Sequence, residues 1–282
     1  MTDQRRVRWR GVALPVEHGV WGFWLEPALL GLLVAGSGAG AALVLAALAA
    51  VLLQTPLSLV LADARRLRRG PRPRSRGGTP QRPQLGRRTA FARRFVAIYG
   101  VALLAAGWAA LSLAGDARIL WPAAMALPLV GVQLWYDARH RAREFVPETA
   151  GALAMGALAA CVAMAGGWAL LPAVGLWALL AARTVPTILY VRARLRLERG
   201  ERVDARPSLL AHGVAAGAAM AAAAFGTVSW LVPLPYVGLA ARAARGLVAD
   251  REPVTARVVG FRELGFGVLL VVVLAVALRL GV

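Results

Sequence analysis

Ionisable side chains interrupt the long apolar stretches of this 282-residue chain at only a few positions. Carrying a charge into a bilayer costs about 2.5–3.5 kcal/mol, so each such residue is a candidate for function. The ionisable candidates are Glu17, His18, Glu26, Glu148, Arg183, His212 and Glu263, with the neutral Gln54 as a companion and with Tyr190 and Arg194 on the helix that carries Arg183. Guanidinium groups bind phosphate oxygens two at a time, and histidine exchanges protons near neutral pH. The pattern predicts a ligand-binding site among apolar helices.

The same residues also have a purely structural interpretation. Arg183 would pair with Glu26 or Glu148 and hold helices together, and Glu263 would pair with a loop arginine such as Arg257. Seven ionisable groups at the same ends of their predicted helices favour a shared site over several unrelated ion pairs.

The elements that must position these residues are helices of membrane-spanning length. The chain is 59% hydrophobic and 17% charged, whereas a soluble domain has about a quarter charged residues. A helix needs about 20 apolar residues to cross a bilayer. Two helices are predicted between Trp21 and Asp63, and single helices over 95–115 and 119–136. Two more lie within 149–182 and two within 207–241, and the last covers 260–278. We therefore predict an all-α protein with about nine transmembrane helices in one polytopic domain over 1–282.

Periodicity places several candidates on shared helix faces. Arg183, Tyr190 and Arg194 are spaced i, i+7 and i+11, which is one face of the predicted sixth helix. Gln54 lies two residues before Pro56, and Arg183 lies three before Pro186. Proline frees a backbone carbonyl, which is tolerated where a helix lines a polar cavity.

The arginines are distributed unevenly between the two sides of this predicted bundle. All 33 basic residues are arginine, the net charge is +19, and the connection 63–94 alone holds twelve of them. Most of the other basic residues lie in the N-terminal segment and in alternate connections, and the opposite connections carry almost no charge beyond Asp116 and Arg118. This distribution indicates an inside N-terminus, an outside C-terminus and the inner (plasma) membrane. Residues 70–86 are predicted to form a mobile cytoplasmic loop. The expected partners are membrane lipids, including anionic head groups at these loops, and not nucleic acid.

The sequence gives little support for cysteine or metal chemistry. Cys161 is the single cysteine, which excludes a disulfide framework and a cysteine-built metal site. We predict no metal site, and the sequence leaves any cofactor open.

Two segments carry a family resemblance. Pro15–Trp21, with Glu17-His18-Gly19 at its centre, resembles the opening motif of the YwiC-like membrane proteins. Gln54-Thr55-Pro56-Leu57, followed by Asp63 and Arg65-Arg66, is similar to the second conserved block of that family. The resemblance implies a membrane location and no established reaction.

A more distant resemblance is to the UbiA superfamily of intramembrane prenyltransferases. Tyr136–Arg141, followed by Pro147-Glu148 and Gly151, is similar to the fourth-to-fifth connection of those enzymes. The resemblance implies a nine-helix bundle with a cytoplasm-facing cavity, in which aspartate-rich motifs hold magnesium on a polyprenyl diphosphate. This chain has Asp63 as the only acid in the two corresponding blocks.

Three hypotheses follow. In the first, the chain binds or modifies an isoprenoid or anionic lipid without magnesium. Arg183, Arg192 and Arg194 would then hold a diphosphate, and Tyr190 or His18 would assist the leaving group. The second is a transporter or exporter of a small anion, and the third is a non-catalytic membrane scaffold. Whether the protein is an enzyme is left open by the sequence.

Overall fold

A computed structural model of the chain describes residues 10–13, 18–68, 87–139, 141, 143–248 and 252–280. This part is almost entirely helical and contains no strand, so the predicted all-α class is confirmed. In chain order the helices are α1 (Arg10–Ala13), α2 (His18–Ala35), α3 (Gly38–Arg68), α4 (Arg87–Ala114), α5 (Trp121–Met125), α6 (Leu127–Ala138), α7 (Phe145–Ala165), α8 (Leu170–Glu198), α9 (Arg206–Ala224), α10 (Pro233–Gly246) and α11 (Ala256–Arg279). A short 3-10 helix (Ala117–Leu120) precedes α5.

Six of the described helices are long and apolar enough to cross a bilayer, namely α3, α4, α7, α8, α9 and α11. The segments Ala117–Met125 and Leu127–Ala138 meet at a bend of 49° and form a seventh span if they are counted together. Helix α2 is apolar over Trp21–Ala35 but shorter, and α10 has 14 residues. The protein is therefore a multi-pass membrane protein. Each of the nine predicted segments coincides with a helix or a bent pair, while nine complete spans remain a prediction.

Several helices continue beyond their apolar stretches. Residues 63–68 and 87–94, which the sequence predicts to be part of a loop, belong to α3 and α4. Helix α8 likewise runs to Glu198, well past the end of its uncharged stretch at Ala182. Arginine is a good helix former, so these helices extend into water after the apolar residues end. The predicted mobile segment 70–86 lies outside the described residues.

The connections between helices form two chemically different ends of the bundle. At one end, which we call the basic end, Arg192 on α8 donates to the Arg143 carbonyl at 3.1 Å, and the amide of Val254 donates to Glu198 at 3.3 Å. These contacts bring together the connections that follow α6, α8 and α10. At the other end, the neutral end, the Ser37 hydroxyl donates to the carbonyl of Ala165 at 3.1 Å.

Small residues allow the central helices to pack closely. Helix α2 packs chiefly against α7, and a Cβ at Gly31 would lie 2.7 Å from the Cβ of Val162. Buried leucines from α2, α8 and α11, including Leu30, Leu176 and Leu270, form the main core beside them. Helix association in lipid depends on such close packing rather than on a hydrophobic driving force. The result is a rigid frame that fixes the polar side chains at the basic end.

Candidate functional site

A fully buried ion pair joins α8 to α2. The guanidinium of Arg183 lies 2.8 Å from the carboxylate of Glu26, and the two side chains are 2% and 7% exposed. A second nitrogen of Arg183 donates to the main-chain oxygen of Glu263 on α11 at 2.9 Å. Gly267 makes room for this arrangement, because a Cβ there would lie 2.0 Å from the Glu26 carboxylate. Of the two partners predicted for Arg183, Glu26 is therefore the one it contacts.

A second pair continues this arrangement across α9, α10 and α11. Arg242 pairs with the Glu263 carboxylate and lies 3.1 Å from Nε2 of His212. Nδ1 of His212 is 2.8 Å from the Ser208 carbonyl, which only accepts. Nδ1 must therefore carry the hydrogen, and Nε2 accepts from Arg242, so the ring is neutral. We call these five residues, Glu26, Arg183, His212, Arg242 and Glu263, the buried ion-pair network.

The charges of the buried ion-pair network balance. Two guanidinium groups face two carboxylates, and the imidazole is neutral. Burying an unpaired charge is costly, which explains why each ion in the network has an opposite charge beside it. Arg183 is consequently committed to a protein carboxylate rather than available to a ligand.

A large cavity of about 700 Å³ lies at the basic end between α7 and α8, and we call it the α7–α8 cavity. The charged residues of its wall are Arg143, Arg192, Arg196, Arg199, Asp137 and Glu148. Gln54 and Gln133 also line the cavity. Gly151 lets Gln133 lie against α7, because a Cβ at this position would be 2.5 Å from the Gln133 side-chain oxygen. Pockets of roughly 300–1,000 Å³ are typical of small-molecule sites.

The ion pairs of this cavity are open to solvent. Arg192 and Glu148 are 2.7 Å apart, and their side chains are 39% and 38% exposed. Arg196 and Arg199 both contact Glu201, at 2.6 and 2.8 Å. The hydrogen bond from Arg196, followed by that from Arg199, holds the pKa of the Glu201 carboxyl below its ordinary value, so this acid stays charged. The cavity wall itself keeps an excess of arginine.

A second cavity of about 730 Å³ lies between α8, α10 and α11, and we call it the α10–α11 cavity. Tyr190, Arg194 and Arg242 line it. The guanidinium of Arg242 lies over the Tyr190 ring, 4.0 Å from its centroid. Arg194 donates to the carbonyl of Gly246 and pairs with Glu198 at 2.9 Å.

Comparison with known proteins assigns the family. A family model described as YwiC-like protein matches residues 14–163, which is just over half of the chain. The chain belongs to the YwiC-like family. No curated protein matches it, and no solved structure does. The UbiA-like arrangement of this YwiC-like protein therefore remains a prediction.

The predicted site residues of the YwiC-like protein fall into three groups. The buried ion-pair network holds Glu26, Arg183, His212 and Glu263. The α7–α8 cavity holds Gln54 and Glu148, and the α10–α11 cavity holds Tyr190 and Arg194. Glu17 lies outside the described residues, and of His18 only its place at the start of α2 is described.

The three arginines expected to hold one diphosphate are not brought together. Arg183 is in the buried ion-pair network, Arg192 lines the α7–α8 cavity, and Arg194 lines the α10–α11 cavity. The predicted common face of Arg183, Tyr190 and Arg194 is found, since each contacts a residue of α10 or α11. Arg192 is two residues from Arg194 and therefore points to another side of the helix.

Sequence reasoning missed the role of Arg242. It was interpreted as a loop arginine because the apolar run ends at Ala241, yet α10 continues to Gly246. Its spacing of three residues from the apolar Leu239 was an available signal, because residues three apart share a helix face and Leu239 is buried. Among the described residues, no group of three or more His, Cys, Asp or Glu side chains is placed to hold a metal ion.

Proposed function

We propose that this YwiC-like protein binds a lipid with a phosphate or diphosphate head, of isoprenoid or acyl type, in the α7–α8 cavity. The observation that carries the proposal is the combination, in one cavity at the basic end, of exchangeable arginines and an apolar wall. The apolar side chains of the wall are Phe23, Pro147, Met155, Val191 and Leu195. They suit a hydrocarbon tail, while the arginines suit the head.

Arg192 is the residue best suited to bind the head group. Its ion pair with Glu148 is more than one-third exposed on both sides, and pairs of this kind contribute only about 0.2–1 kcal/mol. A phosphate offers bidentate hydrogen bonds to a guanidinium. Arg192 can therefore exchange Glu148 for a phosphate at little cost, which the buried Arg183 cannot do. The two side-chain amides nearby, Gln54 and Gln133, offer further neutral donors.

The experiment is mass spectrometry of the lipids that remain on the detergent-purified protein. Arg192→Gln is compared with the wild type and with Arg206→Gln, a matched control at an exposed arginine that lines neither cavity. Loss of one charge-assisted contact worth about 1.5–3 kcal/mol should reduce retained anionic lipid about tenfold or more. The Arg206 variant should keep wild-type levels. Equal lipid in all three proteins would remove the proposal.

The placement of the basic end is a second part of the proposal. We propose that it faces the cytoplasm of the inner (plasma) membrane, because arginine-rich connections stay on that side. The single Cys161 is buried, so a cysteine introduced at Ser37 in a Cys161→Ala background reports the neutral end. A membrane-impermeant maleimide should label this cysteine in intact cells. A cysteine introduced at Arg202 should react only after the cells are opened, and the reverse pattern would contradict the orientation.

The buried ion-pair network favours a second candidate function, which is proton-linked transport of a small anion. It joins carboxylates, guanidinium groups and an imidazole from five helices, and such intramembrane sets are typical of transporters. Counterflow of labelled inorganic phosphate into proteoliposomes tests this candidate. Transport that is lost in His212→Gln would support it, and absence of counterflow in the wild type would exclude it for phosphate.

A further inference from the structure

The α10–α11 cavity takes no part in the proposed lipid site. The two cavities share no lining residue, and the end of α8 separates them, with Arg192 on one side and Arg194 on the other. Residues two apart on a helix point about 200° apart, which accounts for this division. The α10–α11 cavity therefore needs an explanation of its own.

The α10–α11 cavity has an excess of positive charge. Four arginines line it, namely Arg194, Arg242, Arg245 and Arg262, against the two acids Glu252 and Glu263. Arg242 is neutralised by Glu263, and Arg194 by Glu198. Among the described residues of the wall, these pairs leave two guanidinium groups, opposed only by the exposed Glu252.

Arg245 and Arg262 are the two cations that remain. Both are exposed, one on α10 and the other on α11. In the part of the chain that the structure describes, neither has an ion-pair or hydrogen-bond partner. Two such cations on the wall of one cavity favour an anion that accepts from both.

Buried hydrogen-bond donors point to the same kind of ligand. The Nε atoms of Arg194 and Arg242 are buried and have no acceptor, and Arg194 as a whole is only 4% exposed. Most buried polar groups in proteins have a partner, so these two guanidinium groups keep hydrogen-bonding capacity that their protein contacts do not use.

The remainder of the cavity is apolar and opens beside the helices. Helix α10 packs chiefly against α9 and much less against α11, which leaves a cleft between α10 and α11. Gly238, Ala241 and Phe266 line this cleft. Val237 and Phe261, on the same two helices, are exposed. A ligand with a hydrocarbon portion could lie there with its charged end among the arginines.

We propose that the α10–α11 cavity is a second binding site for a phosphate group, held by Arg245 and Arg262 beside the ion-paired Arg194 and Arg242. The phosphate belongs to a membrane lipid or is a free ion, and the same guanidinium contacts serve both. This proposal does not depend on whether a ligand binds in the α7–α8 cavity.

The test uses the full-length protein and two probes. Binding of phosphatidic acid is measured by native mass spectrometry in detergent, and binding of inorganic phosphate is measured by calorimetry. The variant Arg245→Ala/Arg262→Ala is compared with Arg202→Ala/Arg206→Ala, which removes two exposed arginines that line neither cavity. Arg192→Gln serves as the variant of the α7–α8 cavity.

The Arg245→Ala/Arg262→Ala protein should bind at least one probe about tenfold or more weakly than the wild type. The Arg202→Ala/Arg206→Ala protein should retain that binding. Arg192→Gln should lose only a molecule bound in the α7–α8 cavity and should keep the one that the Arg245→Ala/Arg262→Ala protein loses. A loss confined to phosphatidic acid identifies a lipid head group, and a loss for inorganic phosphate identifies a free anion. The site is overturned if neither probe binds the wild type, or if both double variants bind alike. Because both target arginines are exposed and without described partners, their removal should leave the unfolding temperature unchanged.

Discussion

Two of the arginine–carboxylate pairs of helix α8 have almost equal lengths in very different surroundings. Arg183 and Glu26 are 2.8 Å apart with side chains 2% and 7% exposed, whereas Arg192 and Glu148 are 2.7 Å apart and 39% and 38% exposed. The two pairs have nearly the same nitrogen–oxygen distance, but they differ in how deeply their side chains are buried. Burial fixes the first pair, and exposure leaves the second free to exchange its acid for a ligand.

Under the proposed function, this difference separates structural from ligand-binding arginines in a chain that has 33 of them. Arg183 looked like the most promising ligand-binding residue because it interrupts an apolar stretch. Its surroundings instead assign it to holding α2, α8 and α11 together. The arginines that suit a ligand lie a few turns farther along the helix, where a cavity opens.

The largest loss of stability should come from removing one partner of the buried Arg183–Glu26 pair. Arg183→Gln leaves Glu26 buried without its counter-ion, and breaking such a pair costs about 3–5 kcal/mol. We expect little folded protein in detergent, measured as the monodisperse fraction in size-exclusion chromatography. Glu26→Gln should lose stability in the same direction.

The double variant Glu26→Leu/Arg183→Met sharpens this first prediction. Apolar side chains of similar volume remove both charges together, so the double variant should recover most of the folded fraction. If Arg183→Gln alone folded as well as the wild type, the assignment of this pair to a structural role would be wrong.

A smaller loss should follow a change in the glycine beside the buried pair. Gly267→Ala would place a Cβ 2.0 Å from the Glu26 carboxylate and 2.6 Å from the Arg183 guanidinium. Crowding of this kind costs about 1–3 kcal/mol, which should lower the thermal unfolding temperature.

Gly265 on the same helix provides the matched control, because nothing lies within 4 Å of a Cβ built there. Gly265→Ala should be neutral, or stabilising by about 0.5–1 kcal/mol, because alanine suits a helix better than glycine. Equal unfolding temperatures for the two alanine variants would contradict the close contact at Gly267.

The exposed pair should contribute little to stability. Glu148→Gln removes a partner from Arg192 in a partly hydrated site, so the change in stability should be about 0.2–1 kcal/mol. Thermal unfolding in detergent measures it. A loss as large as that of Arg183→Gln would show that the two pairs of α8 are not different in kind.

The smallest effect is expected from removal of divalent metal. Phosphate binding by guanidinium groups needs no metal ion, so chelation with EDTA should leave the lipid retained by the protein unchanged. A clear fall in retained lipid, restored by added magnesium, would instead favour metal-mediated binding.

Much of the fold could be predicted from the sequence because the bilayer constrains it strongly. Apolar length indicated each of the long described helices, but it predicted one helix over 119–136 where the structure has a bend of 49° before α6. Helix ends were less predictable. Where α8 passes Ala182 and reaches Glu198, its continuation depends on packing and helix propensity, which hydropathy does not measure.

The site could be predicted only as a set of candidates. Sequence identified Glu26 and Arg183 as unusual and even as possible partners. Periodicity could put Arg192 and Arg194 on different faces of α8, but it could not say which cavity each face lines, because that depends on how α7, α10 and α11 pack around the helix. Arg242 was missed for the same reason, since its contacts with His212 and Glu263 join helices far apart in the chain.

The segment matched by the family model contains only part of the α7–α8 cavity. The matched segment, residues 14–163, supplies Gln54, Gln133 and Glu148 to the α7–α8 cavity. Arg192 and the other α8 arginines of that cavity lie beyond the matched segment. The cavity thus combines residues inside the matched segment with arginines at the end of α8 that lie outside it.

The central claim is that exposure, rather than pairing, decides which arginine of α8 binds a ligand. The most direct measurement is anionic lipid retained per folded molecule in Arg192→Gln and in Glu26→Leu/Arg183→Met, purified side by side. We expect the Arg192 variant to fold and to lose its lipid, and the double variant to fold and keep it. Lipid retained by Arg192→Gln and lost from the double variant would contradict the claim.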